Sequence, residues 1–437
     1  MTSSGTAETV TLLSSGRSFP RLLAVRQRFP ERPPPDFAAE IARGLGPLAA
    51  TLHPGARVAV AVGSRGIANL AVVVRHVIGV LRAAGATPFI LPAMGSHGGA
   101  TPAGQTELLA GYGITDAALG VPVRAGMEVA EAGRTADGWT VVCSVEALRA
   151  DAVVLINRVK PHTDFAGPLG SGLLKMLVVG LGKHAGAAAF HAAAARLGHE
   201  RVLRAAAEVL AARLRLLAGV ALVEDPRHQT ARVAVVPPAD WARREEALCA
   251  EARELMPRLP FAEVDLLIVD WMGKNISGTG MDPAVIGRMI HGYSLAEDAE
   301  HRHPHVRRLF VRDLTPESHG NAIGLGLADF TTTRLVRAMD RHATFTNALT
   351  ALSLQGAKVP IHFDTDREAL AAALASLPLA DGQQPRIVRI RDTLSVERLE
   401  VSEALAAELA GREDLEILGP PTEPAFDTAG NLLPMPA

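Results

Sequence analysis

Residues 157–191, NRVKPHTDFAGPLGSGLLKMLVVGLGKHAGAAAFH, hold the densest set of groups able to do chemistry in this chain. Gly167, Gly170 and Gly172 surround Ser171, and Lys175 follows one helical turn later. Glycines in such a loop let backbone N–H groups approach a phosphate or a flat cofactor closely. The Lys175 amine then suits either a phosphate contact or a covalent attachment point. GxxxxGK[ST] is absent and no Walker-type acid follows at a strand end, which argues against nucleotide hydrolysis. His162 lies just before this loop, and His97 stands in GSHGG after an earlier strand. Two imidazoles on neighbouring strand ends would flank a small substrate and transfer protons at either face near neutral pH. His191, sixteen residues after Lys175, sits among alanines that leave room for a metal or cofactor. With no HxxxH or CxxC nearby, a purely protein-ligated zinc site is not indicated; a metal on His191 would draw most ligands from elsewhere.

Lysine is rare here: of 44 basic side chains only five are lysine, at Lys160, Lys175, Lys183, Lys274 and Lys358. Three of them fall within 24 residues. Where arginine serves as the general surface cation, a lysine is a candidate for work that needs a primary amine or a compact charge. Lys160 and Lys183 read as contacts to a cofactor phosphate or substrate anion, or else as loop charges. Asp164 reads as a group that orients an imidazole or caps a turn. Lys274 lies in WMGKNISGTGMDP, where Trp271, Asn275, Ser277 and Asp282 would shape specificity. HRHPH at residues 301–305 reads as a solvated segment before a strand, SHGNAIG with His319 and Asn321 as a further polar loop, and Lys358 as an ordinary charge.

The elements that must position these groups follow from the apolar pattern. Short β-branched runs at residues 57–62, 86–91, 152–156, 218–223 and 231–236 alternate with alanine- and leucine-rich helical stretches. A second block begins with a strand at 264–270 and continues with strands near 308–311, 360–363 and 386–390. The expected fold is two α/β domains with mostly parallel sheets flanked by helices and an active-site cleft between them. The boundary falls near residues 256–260, giving a catalytic and cofactor-binding domain over 1–256 and a domain closing over the substrate over 261–437. The first ~30 residues and the tail after Gly419 are Pro-rich or polar and read as arms or loosely packed ends. All the unusual polar residues lie just past the carboxyl ends of expected strands, the edge at which open α/β sheets bind ligands.

Composition narrows the class. A net charge of −2, 4% aromatics and no long basic run argue against a nucleic-acid partner. No apolar run approaches the ~20 residues of a membrane span. Two cysteines, Cys143 and Cys249, make no disulfide framework and fit a reducing compartment. With no signal-peptide pattern at the start, the expected location is cytoplasmic.

FAGPLGSGLLK preceded by KPH, with GSH on an earlier strand end and a histidine sixteen residues after the lysine, resembles the lactate racemase superfamily. The resemblance covers most of the chain and is stronger in the N-terminal domain. It implies a racemase or epimerase of a 2-hydroxy carboxylic acid that uses nickel held in a pincer nucleotide, pyridinium-3-thioamide-5-thiocarboxylic acid mononucleotide. Lys175 would be its covalent attachment point, His191 the nickel ligand, and His97 and His162 the alternating acid/base pair. Gly170, Ser171, Gly172 and Lys183 would bind the cofactor; Arg65, Lys274, Lys160 and Trp271 would bind substrate. Implied partners are a small 2-hydroxy acid and the proteins that make the cofactor and insert nickel. Gly63-Ser64-Arg65-Gly66 stands where the family has Asp-x-x-Arg, and Leu174 where it has an arginine. The spacing from His162 to Lys175 is three residues longer than in the lactate enzyme, and that enzyme's tyrosine- and glutamine-bearing stretch is unmatched. These departures point away from lactate itself. The chemistry agrees: the Cα–H beside an ionised carboxylate is weakly acidic, and hydride transfer avoids a carbanion. Two other classes remain open, a pyridoxal-phosphate enzyme with Lys175 as the Schiff base and a non-catalytic small-molecule-binding relative. The first lacks an evident aspartate for a ring nitrogen.

Overall fold

The alternation of apolar runs and alanine-rich stretches folds as two α/β units in the computed structural model, which describes residues 18–63, 66–162, 167–288 and 304–435. One unit comprises Glu31–Met256; the other joins the chain up to Pro30 with Pro257–Ala437. The sequence had placed residues 1–256 in one domain. Instead β1 (Leu22–Gln27) pairs in the sheet of the second unit.

The first unit is built on β2 (Arg57–Val62) and β3 (Thr87–Pro92), a separate hairpin of β4 (Val129–Arg134) and β5 (Thr140–Ser144), then β6 (Ala152–Arg158), β7 (Leu216–Glu224) and β8 (Thr230–Val236). Its sheet runs β3-β2-β6-β7-β8, with β8 alone antiparallel. Both faces are covered, so β2 reads RVAVAV without polar alternation and buries five of its six residues. Val58, Val60 and Val62 pack with Ile41 and Leu45 of α1 (Phe37–Ala49) and Val73, Val77 and Leu81 of α2 (Leu70–Ala83). The buried positions of α2 recur at three- and four-residue spacing, the pattern that puts one apolar stripe on a sheet. Ala59 and Ala61 face the other way, toward a core that includes Phe190 of α4 (Lys183–Leu197), Leu203 of α5 (His199–Arg213) and Leu248 of α6 (Trp241–Leu255). On the α1 and α2 face, α3 (Pro102–Gly111) follows the loop after β3 and packs Leu109 into that core, with Thr101 capping its first turn.

The strand order makes the site. From β2 the chain moves to β3 on one side, while β6 enters the sheet on the other side of β2. Loops leaving β2 and β6 therefore diverge and open a crevice at their carboxyl ends. The two histidines were expected on neighbouring strands. In fact β2 lies between β3 and β6, so His97 and His162 stand on either side of the β2 end.

The second unit carries β9 (Glu263–Met272), β10 (His305–Leu314), β11 (Phe330–Thr332), β12 (Ile361–Phe363), β13 (Ile387–Ile390), β14 (Arg398–Ser402) and β15 (Leu415–Ile417). The order is β12-β11-β10-β9-β13-β14-β1-β15; β14, β1 and β15 pair antiparallel and the rest parallel. Within the described residues, 18–30 and 420–435 are not the loose arms the sequence suggested, while residues 1–17 lie outside the described residues. Val25 of β1 is fully buried, and the tail after Gly419 is tied down by charged groups. Arg389 pairs with Asp270 at 2.8 Å and donates to Leu433 O at 2.7 Å; Arg312 pairs with Asp366 and donates to Leu432 O, both at 2.6 Å. Among the described residues no single helix is long and apolar enough to cross a membrane.

Candidate active site

The segment Leu173–Gly180 crosses the carboxyl edge of the first sheet. It begins as α-helix at Leu173–Lys175, widens to a π turn over Met176–Gly180, and bends by 110° into α4. Single π turns recur at functional sites, because the extra residue redirects side chains. At the β6 end, Asn157 Nδ2 donates to Gly172 O at 3.2 Å. At the β2 end, Gly63 leaves the room that the Met176 side chain uses. At the β3 end, Gly180 packs so closely on Ala93 O that a side chain there would overlap it, and Gly95 N donates to Gly180 O at 3.4 Å. One short segment thus touches the ends of three strands at the topological switch.

Glu245 of α6 caps the segment, accepting from Leu174 N at 2.9 Å. It is fully buried, and desolvation pushes its pKa up to about 7, although the backbone N–H groups of Leu174 and Leu173 oppose the shift. Its carboxylate fills the place of a Gly172 side chain. Gly170 likewise yields its side-chain space to Lys160 O, and Ser171 and Lys160 exchange backbone hydrogen bonds of 2.8 and 2.9 Å. The N–H groups of Ser171, Leu173 and Leu174 are used inside the protein, and a side chain at Gly170 or Gly172 would meet Lys160 O or the Glu245 carboxylate.

Lys175 emerges half-buried from the first turn, with its Nζ donating to Nε2 of the half-buried His162. This contact joins two of the residues singled out from sequence.

His97 follows β3 and leads into Gly98, Gly99 and Ala100, with φ of 63°, 63° and 55°. Ala100 pays a side-chain penalty of roughly 1–2 kcal/mol for that conformation, and such strain collects at functional sites. Lys183, expected at a cofactor phosphate, is fully buried. Its amine donates to Pro92 O at 2.6 Å and Gln105 Oε1 at 3.2 Å, and burial lowers its pKa to about 8. Both partners of the amine are protein groups, one at the end of β3 and one on α3. His191 lies half-buried on α4, edge-on to Phe190 with ring centroids 5.5 Å apart. Among the described residues no group of three or more His, Cys, Asp and Glu is placed to hold a metal ion.

Lys274 and Trp271 belong to the second unit, at the end of β9. Lys274 Nζ donates to Gly278 O at 2.7 Å and Asn347 Oδ1 at 2.9 Å, bracing its own loop. Thr315 donates to Asn275 Oδ1, Ser277 is buried, and Asp282 caps a short helix through Ala284 N. Asn321 donates to Asn347 Oδ1 at 3.1 Å, while His319 is exposed. His305 opens β10 and pairs with Glu263 at 3.0 Å. Arg65, Asp164 and residues 301–303 lie outside the described residues.

Sequence reasoning passed over Glu245, Asn157 and Gln105, and also the Arg158–Glu224 pair at 2.6 Å, whose Glu224 holds Ala68 N in the loop after β2. A signal existed for Glu245: it falls on the apolar stripe of α6, four residues after Trp241 and three before Leu248.

Sheet order and switch-point site define an open α/β fold with polar residues at the carboxyl edge of its first sheet. No protein-family model matches the chain, and no curated protein matches it in sequence. Solved structures do match. The lactate racemase apoprotein from Thermoanaerobacterium thermosaccharolyticum aligns over 86% of this chain and 99% of its own, with a TM-score of 0.50 and 14% identity. A protein from Thermotoga maritima aligns over 80% and 93%, with a TM-score of 0.51 and 14% identity. The chain has the fold of the lactate racemase apoprotein.

Proposed function

We propose that this chain is an isomerase, a racemase or epimerase of a 2-hydroxy carboxylic acid, with Lys175 as the attachment point of a nickel-pincer nucleotide. The observation that carries the reading is the Lys175–His162 contact on a segment that spans the switch point, with His97 beyond its other end.

The residues present fit such a group. Lys175 offers a primary amine at the crevice, half-buried and on a short turn rather than a flexible arm. His191 offers one imidazole from α4. A metal held by one protein nitrogen needs other donors, which a sulfur–carbon–sulfur pincer provides. When bound, the nucleotide supplies a hydride acceptor, the chemistry no side chain here can supply.

The protein's part is proton transfer and placement. Inverting a carbon that bears a hydroxyl requires removing the proton from that oxygen on one side and returning one on the other. His162 at the β6 end and His97 beyond the β3 end lie on opposite sides of β2. Two strand spacings separate those ends, about 10 Å, enough for a small acid between two imidazoles. Each imidazole can hold or release a proton at the substrate oxygen near neutral pH. The substrate carboxylate calls for a fixed cation, for which Arg65 and Lys160 are the candidates.

Protein co-expressed with the cofactor-synthesis and nickel-insertion proteins should show a covalent mass increment that disappears in Lys175→Ala. An unchanged wild-type mass removes the attachment role. His191→Ala should keep the increment and lose nickel by metal analysis. In a stereochemical screen of 2-hydroxy acids, His97→Ala and His162→Ala should each lower turnover by about 10²–10⁴-fold.

A further inference from the structure

The Lys183 amine reaches two places that bear on His97. Lys183 opens α4 directly after the crossing segment, and its amine donates to Pro92 O, the last residue of β3. Its second bond goes to Gln105 Oε1 on α3. Gln105 is itself fully buried, and its Nε2 donates to Gly95 O at 3.1 Å and His97 O at 3.3 Å. One amine and one amide therefore hold three carbonyls of the turn that carries His97.

We propose that Lys183 and Gln105 form a relay that positions His97, the amine fixing the orientation of the amide and the amide fixing the carbonyl of the histidine. A carboxamide can present either end to a neighbour, and an amine that donates leaves only the oxygen end facing it. That choice aims both amide N–H groups at the turn. The turn needs holding, because the residues after His97 are three successive left-handed positions. Gly98 and Gly104 are also pressed together so tightly that neither has room for a side chain. A functional group is useful when its support keeps it within a fraction of an ångström of its working place. The relay acts through backbone, so it fixes where the imidazole starts without taking a proton from it. Its consequence for turnover rests on the reading of His97 as an acid/base group; its geometric content does not.

The test uses the full chain without cofactor, labelled with ¹⁵N-histidine. His97 resonances are assigned from their loss in His97→Gln, and the rates at which His97 and His162 react with diethylpyrocarbonate are followed by peptide mass. Lys183→Met deletes the amine and keeps the stem. Gln105→Glu keeps an acceptor for Lys183 and removes the amide donor. Each should shift the His97 imidazole signals and change its reaction rate by about 3-fold or more, with His162 unchanged. The double variant should do no more than the larger single, as members of one relay must. In cofactor-loaded enzyme, kcat should fall by about 10–100-fold with KM little altered. Unchanged His97 signals and rate in folded Lys183→Met and Gln105→Glu overturn the relay, as does an equal change at His162. If Lys183→Met does not fold, Gln105→Glu decides alone. Absence of turnover in the wild type would count against the racemase reading and leave the His97 measurements standing.

Discussion

Glu245 and Lys183 are both buried, and burial moves each toward its neutral form. Glu245 titrates near 7 in the fold against an ordinary 4.5, so between those values the native state holds the extra proton. Its contribution to stability is present below the lower value and is lost as pH rises through 7. Lys183 titrates near 8 against an ordinary 10.5, so there the unfolded chain holds the extra proton and stability gains as pH rises from 8 toward 10.5. Each shift corresponds to about 3 kcal/mol at most. Urea unfolding across pH should therefore show a decline from pH 5 to 7 that flattens in Glu245→Gln. Glu245→Ala, which leaves Leu174 N without its acceptor, should be less stable than Glu245→Gln by about 1–3 kcal/mol. At this scale the sequence was uneven. Lys175, His162 and His97 were legible because chemistry-bearing residue types sat in glycine-rich strand-end loops. Gln105 was not, since it is an ordinary polar residue of a helix whose work only burial reveals, and Glu245 left only its place on the apolar stripe of α6 as a signal.

Among the elements, the crossing segment depends on the missing side chain of Gly172 more than on its backbone, whose φ of −161° any residue adopts. Gly172→Ala should push against the Glu245 carboxylate and destabilise by about 1–3 kcal/mol, read by thermal unfolding. The same change should alter Lys175 labelling by an amine reagent, because the cap sets where the first turn starts. Strands were legible where they were long and buried on both faces. Residues 57–62 match β2 end to end, and β6, β7 and β8 were displaced by only a few residues. The three-residue strands β11 and β15 are too short to show a period, and the β4–β5 hairpin has exposed residues along one strand. The π turn left no mark in the sequence; its residues Met176 and Gly180 pack against Gly63 and Ala93, far away in the chain.

For the whole molecule, the alternation of strands and helices sufficed to foresee two α/β units, and the change of unit after Met256 coincides with a proline-containing break. What it did not reveal was the crossing of the chain's early strand into the later unit. Leu22 pairs with Ser402 and Val25 with Leu399, partners that no local pattern connects. The charged ties on the tail belong to this scale too. Arg389→Met should leave Asp270 buried with one cation fewer and cost about 3–5 kcal/mol. Because the chain has two units, that loss should appear in one of two unfolding steps and leave the other in place, which calorimetry can resolve.

The placement of β1 also sets an order of assembly during synthesis. Residues 31–256 form a contiguous unit that can begin to fold while the ribosome is still reading the rest. β1 emerges before all of them, yet it lies between β14 and β15. Its edges therefore stay unpaired while almost 400 further residues are made, and the second sheet closes only after residue 417 has left the exit tunnel. Through that interval LLAVRQ is a bare apolar strand, a natural binding segment for a holdase chaperone.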